Sequence, residues 1–407
     1  YGAAPVMGSA KPVLKTHGSA KADAIVTSMK SVIDYINSDV TGKITARLAQ
    51  LKEEKEEFSL DEMKENVSVN EGTFQIETNY DPEISGSYYV NVTAEDDYGN
   101  KSIASYEVVV KDVDAPLIFV TGNGAKIVKG EEFDINEIIS YGDNADPTPT
   151  LKTTGEVDTD NPGYYPIHAM VTDASGNSTE WDLTVEVVNE KPKDNPSSYY
   201  TPFEAFKENY SSEGRKFGID VSSWQEDIDF KAVKEAGCEF VMIRVGYSYD
   251  GDLKTDRKFV QNIRGAKEAG LPVGIYLFCY DNTKEELLSS LEMVFEQLDG
   301  EELDLPFAFD WENFGNYQDY KLSFQMLNQL YDIFEEEVNQ RGYDSILYSS
   351  KYYLETIWTH TDTRPVWMAH YTSWSSYEKP YMIWQCSASG RIDGIQGNVD
   401  LDILFEE

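Results

Sequence analysis

Cysteine is nearly absent from this chain, basic charge is scarce, and long apolar runs are missing. The three cysteines, Cys238, Cys279 and Cys386, all fall in apolar stretches of the C-terminal half. An odd count argues against a disulfide framework, so they read as buried free thiols. Lys and Arg number 34 against 73 Asp and Glu, a formal net charge of −39. Nucleic-acid partners are excluded on this ground, because such binding leans on cationic contacts to phosphates. The same balance argues against adhesion to anionic membranes or teichoic acids, and it reads as a solubility feature. No run of 18 apolar residues occurs, so no helical membrane insertion is expected. The chain begins at Tyr1 rather than Met, which leads us to expect that a preceding segment was trimmed.

What is present suits several packed domains. A chain of 407 residues exceeds one ordinary domain, and 41% of it is hydrophobic. Tyr is abundant, at 27 residues, as befits β-rich modules or sugar-stacking clefts.

The chain repeats itself. Gly86-Ser-Tyr88 followed by Asp96-Asp-Tyr-Gly99-Asn100 returns as Gly163-Tyr-Tyr165 followed by Asp173-Ala-Ser-Gly176-Asn177, each pair 77 positions apart. Upstream, Glu56-Glu57-Phe58 answers Glu131-Glu132-Phe133 and Asp39 answers Asp114, now 75 apart. Residues 39–113 and 114–190 are therefore two copies of one module. Both carry β-branched, period-2 runs, such as Tyr88–Val92 and Leu183–Val187, separated by Gly- and Asn-bearing turns. This pattern predicts two all-β sandwiches and resembles the Ig-like repeats of bacterial surface proteins. Spacing is their expected role; ligand or Ca²⁺ binding by the Asp-rich turns is the lesser alternative, and no metal site is assigned. Residues 1–38 form an N-terminal segment with helical spacing of Ile25, Met29, Val32, Ile33 and Ile36. Residues 191–214, with Pro192, Pro196 and Pro202, read as a linker.

From residue 215 the rhythm changes to strands alternating with amphipathic helices. Strands are expected at Phe217–Val221, Phe240–Val245, Val273–Phe278, Phe307–Glu312, Ser345–Tyr348, Val366–Ala369 and Met382–Gln385. Repeated βαβ units imply parallel strands, and about eight imply a barrel with its function at the C-terminal strand ends. Little helix separates the last strands, so the expectation is an irregular, TIM-like α/β barrel over 215–407.

Carboxylates gather at those ends: Asp220 after the first strand, Asp310 and Glu312 at the fourth, Asp400 and Asp402 near the last. Two residues apart on a strand, Asp310 and Glu312 point to one face. Mutual repulsion and partial burial raise the pKa of at least one, giving a proton donor beside a carboxylate that stays charged. Glycoside hydrolysis needs that combination.

Motifs sharpen this. Gly218-Ile-Asp220-Val-Ser222-x-Trp224-Gln225, Ile228-Asp229-Phe230, Phe240-Val-Met-Ile-Arg244, Gly274-Ile-Tyr276 and Phe309-Asp310-Trp311-Glu312 occur in this order. They are followed by Trp367-x-Ala369-His370-Tyr371, Trp384-Gln385, Gly394-Ile395 and Val399-Asp400-Leu401. Together they resemble glycoside hydrolase family 25, the Chalaropsis-type lysozymes, over about 190 residues. The resemblance implies a secreted or cell-wall muramidase that cleaves the β-1,4 bond between N-acetylmuramic acid and N-acetylglucosamine of bacterial peptidoglycan. It implies no cofactor, and a monomer is expected. Glu312 would be the general acid and Asp310 its partner, with Asp220 and Asp400 tuning the pair from the floor. Tyr276, Tyr348, Trp367 and Tyr371 would wall the sugar groove, with Arg244 bracing the carboxylates or serving a structural ion pair. His370 reads as structural. Cys386 and Asp402 depart from the family's usual aromatic residue and frequent Asn. Inverting and substrate-assisted retaining routes both remain open, as do a non-catalytic glycan-binding barrel and a different amino-sugar polymer as substrate.

Overall fold

A computed structural model of the chain describes residues 73–82, 84–95, 98–99, 101–120, 125–190 and 199–406, with the backbone of two short N-terminal strands. The helix expected over residues 22–36 and the upstream part of the first repeat lie outside the described residues. The chain divides into two compact units, Tyr1–Lys111 and Asp112–Glu407.

In the first unit β1 (Ala4–Val6) pairs antiparallel with β2 (Val13–Lys15). A separate meander joins β3 (Thr73–Thr78), β4 (Gly86–Glu95) and β5 (Lys101–Val110). Exposure alternates strictly along β5, as a sheet with one covered face requires.

The second unit opens with a β-module. In it β6 (Leu117–Val120) pairs with β8 (Ile139–Gly142), while β7 (Lys126–Val128), β11 (Ser178–Val188), β10 (Gly163–Thr172) and β9 (Thr150–Thr154) form a second sheet in that order. Ile139, Ile167, Ala169, Leu183 and Val185 from both sheets share one core. The two expected sandwiches thus reduce, among the described residues, to one three-stranded sheet in the first unit and two small sheets around one core in the second. The repeat itself has a local signature. Tyr88 Oη donates to the Ile84 carbonyl and Tyr165 Oη to the Asn161 carbonyl, each at 2.7 Å, four residues upstream. Such a bond from a strand tyrosine back to the preceding corner pins the entry of the strand.

The expected linker over 191–214 ends earlier than its proline content suggests. β12 (Thr201–Pro202) pairs with the barrel sheet, and α1 (Phe203–Tyr210) buries Phe203 and Phe206. Phe206 meets Phe217 edge-on at 5.3 Å between ring centroids. Phe203, Phe206 and Tyr210 recur at helical spacing, an apolar stripe that outweighs the neighbouring prolines.

The barrel strands are β13 (Arg215–Val221), β14 (Phe240–Tyr249), β16 (Val273–Cys279), β17 (Phe307–Asp310), β18 (Ser345–Ser350), β19 (Val366–Ala369), β20 (Ile383–Arg391) and β21 (Val399–Phe405), with β15 (Asp252–Thr255) attached to β14. β13 to β20 are parallel neighbours in this order, and β21 closes the ring between β20 and β13. Both β21 pairings are antiparallel, so the closed barrel has seven parallel strands and one reversed, not eight parallel ones. Only residues 392–398 connect β20 to β21. A parallel crossover needs a dozen residues or more, so the chain must turn back. Helices α2 (Phe230–Glu235), α3 (Phe259–Glu268), α4 (Lys284–Leu298), α5 (Phe324–Gln340) and α6 (Lys351–Thr356) fill the first five crossovers, and the connection from β19 to β20 has no helix. Thr283 and Ser323 cap α4 and α5, each side-chain oxygen accepting from a backbone N–H three residues on.

The β-module of the second unit is packed on the barrel rather than held off as a spacer. Phe119 of β6 enters an aromatic cluster with Phe314, Tyr317, Phe324 and Tyr353. Gly142 permits this approach: a Cβ there would lie 2.5 Å from the Tyr317 ring. Ser140 Oγ donates to Gln318 Oε1 at 3.0 Å and accepts from the Tyr317 N–H at 2.8 Å. The Asp143 and Asn144 carbonyls accept from Phe324 N–H (2.8 Å) and Gln325 N–H (3.0 Å), satisfying donors that the first turn of α5 leaves free.

Candidate active site

The reversed strand assembles the site. Because β21 runs against its neighbours, its beginning lies where β13 ends, and Asp400 stands directly opposite Asp220 in the register. Two carboxylates opposite each other on one face repel. One pleat deeper, Asp402 stands opposite Gly218 and Gln385.

A polar network holds this floor. Gln385 Oε1 accepts from Tyr348 Oη at 2.9 Å and Tyr371 Oη at 2.8 Å. With its oxygen occupied by two donors, Gln385 turns its amide to Asp220 Oδ2, 2.7 Å away. Trp367 Nε1 donates to Asp402 Oδ1 at 2.9 Å. Asp220 is buried, and its pKa is raised well above the ordinary carboxylate value, first by burial and then by the charges of Asp400 and Asp402. Asp402, fully buried, is raised to about 8 by burial and by Asp400.

The end of β17 and the residues directly after it deliver the remaining acids, Asp310 and Glu312. The strand ends at Asp310, short of the Glu312 expected from the sequence, and directly after it Trp311 packs into rings of Phe314, Tyr317 and Tyr320, with centroids 4.9–5.4 Å away. Asp310 is buried, with Oδ1 unpartnered among the described residues. Burial raises its pKa, Glu312 adds to this, and Arg244 opposes it. Glu312 lies in the open mouth, reached by water yet crowded by protein, and is raised to about 7 by desolvation and then by Asp400. Asp400, half-buried, is raised to about 6, chiefly by desolvation. Near neutrality the mouth therefore holds a carboxylic acid among groups that compete for protons, which can donate a proton to a leaving oxygen and stabilise nearby positive charge.

The sequence-derived groove residues divide. Tyr371 is exposed at the rim, and its hydroxyl reaches the floor network. Tyr348 and Trp367 are buried, with their rings 4.7 Å apart, and Tyr276 meets Trp367 at 5.9 Å. Trp367 is thus no open sugar platform: its indole is spent on Asp402. Arg244 does not grip Asp310 or Glu312 but binds Asp256 Oδ2 through Nε (3.0 Å) and Nη2 (2.8 Å). Burial opposes ionisation of Asp256, but bonds from the Ser223 and Lys258 N–H groups and from Arg244 hold its pKa below the ordinary value. His370 is partly buried, with Nδ1 3.2 Å from Ser375 Oγ. The three cysteines are free and buried, and burial pushes the Cys386 thiol pKa up.

Sequence reasoning missed Gln385 as the hub, although its Trp384-Gln385 motif was visible. It also missed the open cleft beside the mouth. That cleft, of 870 Å³, is lined by Trp224, Arg244, Tyr247, Tyr249 and Tyr280 among others. Trp224 is 82% exposed, a large ring left in water. Such a surface is suited to stacking on a flat ligand face. Among the described residues, the acidic group close enough to share a metal ion lies elsewhere, in the β-module.

Comparison with known proteins finds similarity over this part of the chain. Residues 219–395 match Glycosyl hydrolases family 25, and residues 120–187 match Bacterial surface protein, Ig-like domain. The autolytic lysozyme of Clostridium acetobutylicum is 31% identical over 192 residues, 46% of this chain and 56% of that protein. Lysozyme M1 of Streptomyces globisporus is 29% identical over 196 residues, covering 45% and 65%. The chain thus spans little more than half the length of the first of these relatives. The bacterial lysozyme structure from Streptomyces coelicolor aligns with a TM-score of 0.40 at 25% identity, over 48% of this chain and 94% of that one.

Proposed function

We propose, on the premise that residues 219–395 form a glycosyl hydrolases family 25 domain, that the chain is a muramidase. It hydrolyses the β-1,4 bond between N-acetylmuramic acid and N-acetylglucosamine in bacterial peptidoglycan. The observation that carries this is Glu312, a carboxyl raised to about 7 in an open mouth beside Asp310, Asp220 and Asp400. Glu312 protonates the glycosidic oxygen as the bond breaks. Asp310 stabilises the developing positive charge or orients the acetamido group. Asp220, held by Gln385, and Asp400 form the floor and keep the Glu312 proton in place. Tyr371 and the exposed Trp224 supply rim contacts to sugar rings, while Tyr276, Tyr348 and Trp367 support the floor from beneath. Arg244 fixes the cleft wall through Asp256. The β-modules act as Ig-like sandwiches at the bacterial cell surface or wall, the second presenting the barrel as one body with itself.

Digestion of purified peptidoglycan by the wild type and by Glu312→Gln, with reducing-end assignment by mass spectrometry, tests this reading. Fragments with reducing N-acetylmuramic acid ends are expected from the wild type. Loss of a general acid should slow their release by on the order of 10²–10⁴-fold. Reducing N-acetylglucosamine ends would overturn the bond assignment. Binding to the wall without fragments would instead make the barrel a glycan-binding module.

A further inference from the structure

Three acidic side chains of the β-module have no part in the proposed reaction. Asp112, Asp143 and Asp173 each bring one carboxylate oxygen within 4.8 Å of the others. They come from separate places in the chain: Asp112 precedes β6, Asp143 directly follows β8, and Asp173 directly follows β10. Asp143 is wholly buried. Its Oδ1 accepts from the N–H groups of Ala145 (2.9 Å) and Asp146 (2.7 Å). Its Oδ2 is also buried and meets no donor among the described residues. Asp173 is oriented by Asn177, whose N–H and Nδ2 reach Oδ1 and Oδ2 at 2.8 Å each. Asp112 Oδ1 accepts from the Asp114 N–H at 3.2 Å.

A buried carboxylate that has an unpartnered oxygen and two further carboxylates close by is costly, because burial and like charge both disfavour ionisation. A proton on one group would relieve a single charge. A divalent cation relieves the repulsion among all three and supplies the missing partner of Asp143 Oδ2. We propose that Asp112, Asp143 and Asp173 form a Ca²⁺ site. The donors are all hard oxygens, which suits Ca²⁺ or Mg²⁺ rather than soft transition metals. Ca²⁺ accepts six to eight oxygens in flexible geometry, which suits ligands drawn from three separate loops, whereas Mg²⁺ demands near-octahedral geometry. Remaining positions are filled by water. The site lies at the seam, since the Asp143 carbonyl accepts from the first N–H of α5. The ion therefore fixes the loop that joins the module to the barrel.

The full chain, stripped with chelator, is titrated with CaCl₂ alone by calorimetry and followed by thermal unfolding. Asp112→Asn and Asp173→Asn are measured beside the wild type. We expect one saturable event per wild-type chain with half-saturation on the order of 10⁻⁴ M, weakened at least about tenfold in the variants, and a Ca²⁺-dependent rise in Tm confined to the wild type. In chelator Asp112→Asn should melt at or above the wild type, because one of three like charges is gone. A merely structural aspartate would give the opposite order. Equal Ca²⁺ responses in wild type and both variants would reveal diffuse counter-ion binding by an acidic chain and overturn the site. So would no saturable event, or an equal Tm rise with MgCl₂ at the same concentration.

Discussion

Phe119 of the β-module and Phe314, two residues beyond Glu312, meet edge-on with ring centroids 6.0 Å apart. Phe314 in turn lies 4.9 Å from Trp311, the residue between Asp310 and Glu312. One ring of the module thus packs directly beneath the segment that aims Glu312. Truncating it to Phe119→Ala leaves a cavity in this cluster and should cost about 3–5 kcal/mol, read from the denaturant midpoint. Peptidoglycan hydrolysis should fall with it, while Phe119→Leu keeps most of both. An unchanged midpoint in Phe119→Ala would mean that the contact contributes nothing.

Asp400 raises the pKa of Glu312 by charge, so the two should be separable by pH. Hydrolysis by the wild type should decline as pH rises through about 7, where Glu312 loses its proton. In Asp400→Asn the repelling charge is absent, Glu312 ionises more readily, and the alkaline limb of kcat/KM moves to lower pH. A limb that stays in place would remove Asp400 from any role in tuning the acid.

Asp402 offers a stability test with a definite sign. Its folded pKa of about 8 lies above the ordinary value of 3.8, so the folded state holds the proton more tightly than the unfolded chain. Its contribution is fully present below about pH 4 and is lost as pH rises through about 8. Asp402→Asn keeps an acceptor for Trp367 Nε1 and carries no charge. It should be more stable than the wild type at pH 8, with little difference at pH 4. Melting curves at the two pH values check this.

Gln385 joins three groups at once. Gln385→Leu strips the acceptor from Tyr348 and Tyr371 and the donor from Asp220, leaving buried polar atoms unpaired. A loss of about 2–5 kcal/mol is expected, together with a fall in hydrolysis larger than in Tyr371→Phe, which removes one bond only. Equal effects of the two substitutions would argue against a shared network.

Much of this was legible in the sequence because it rests on local pattern. The 77-residue repeat is matched locally by Tyr88 and Tyr165, which make the same corner bond. Alternating strands and helices gave the barrel, whereas the strand expected over Phe307–Glu312 ends at Asp310, so the placing of Glu312 rests on the turn after it rather than on strand period. Features that depend on what lies across space were not legible. The direction of β21 decides that Asp400 enters the mouth, and how short the connection before it is becomes clear only once the strand ends are placed. Phe119 looks like an ordinary core residue of its own module, and only docking makes it a support of the barrel. Trp367 and Arg244 bear the right chemistry for a sugar groove, but burial and a nearer partner, Asp402 in one case and Asp256 in the other, redirect them. Sequence by itself determined which residue types are available and which face each takes. The tertiary structure alone decided which of them meet, because burial, carboxylate repulsion and hydrogen-bond partnership depend on distances between residues far apart in the chain.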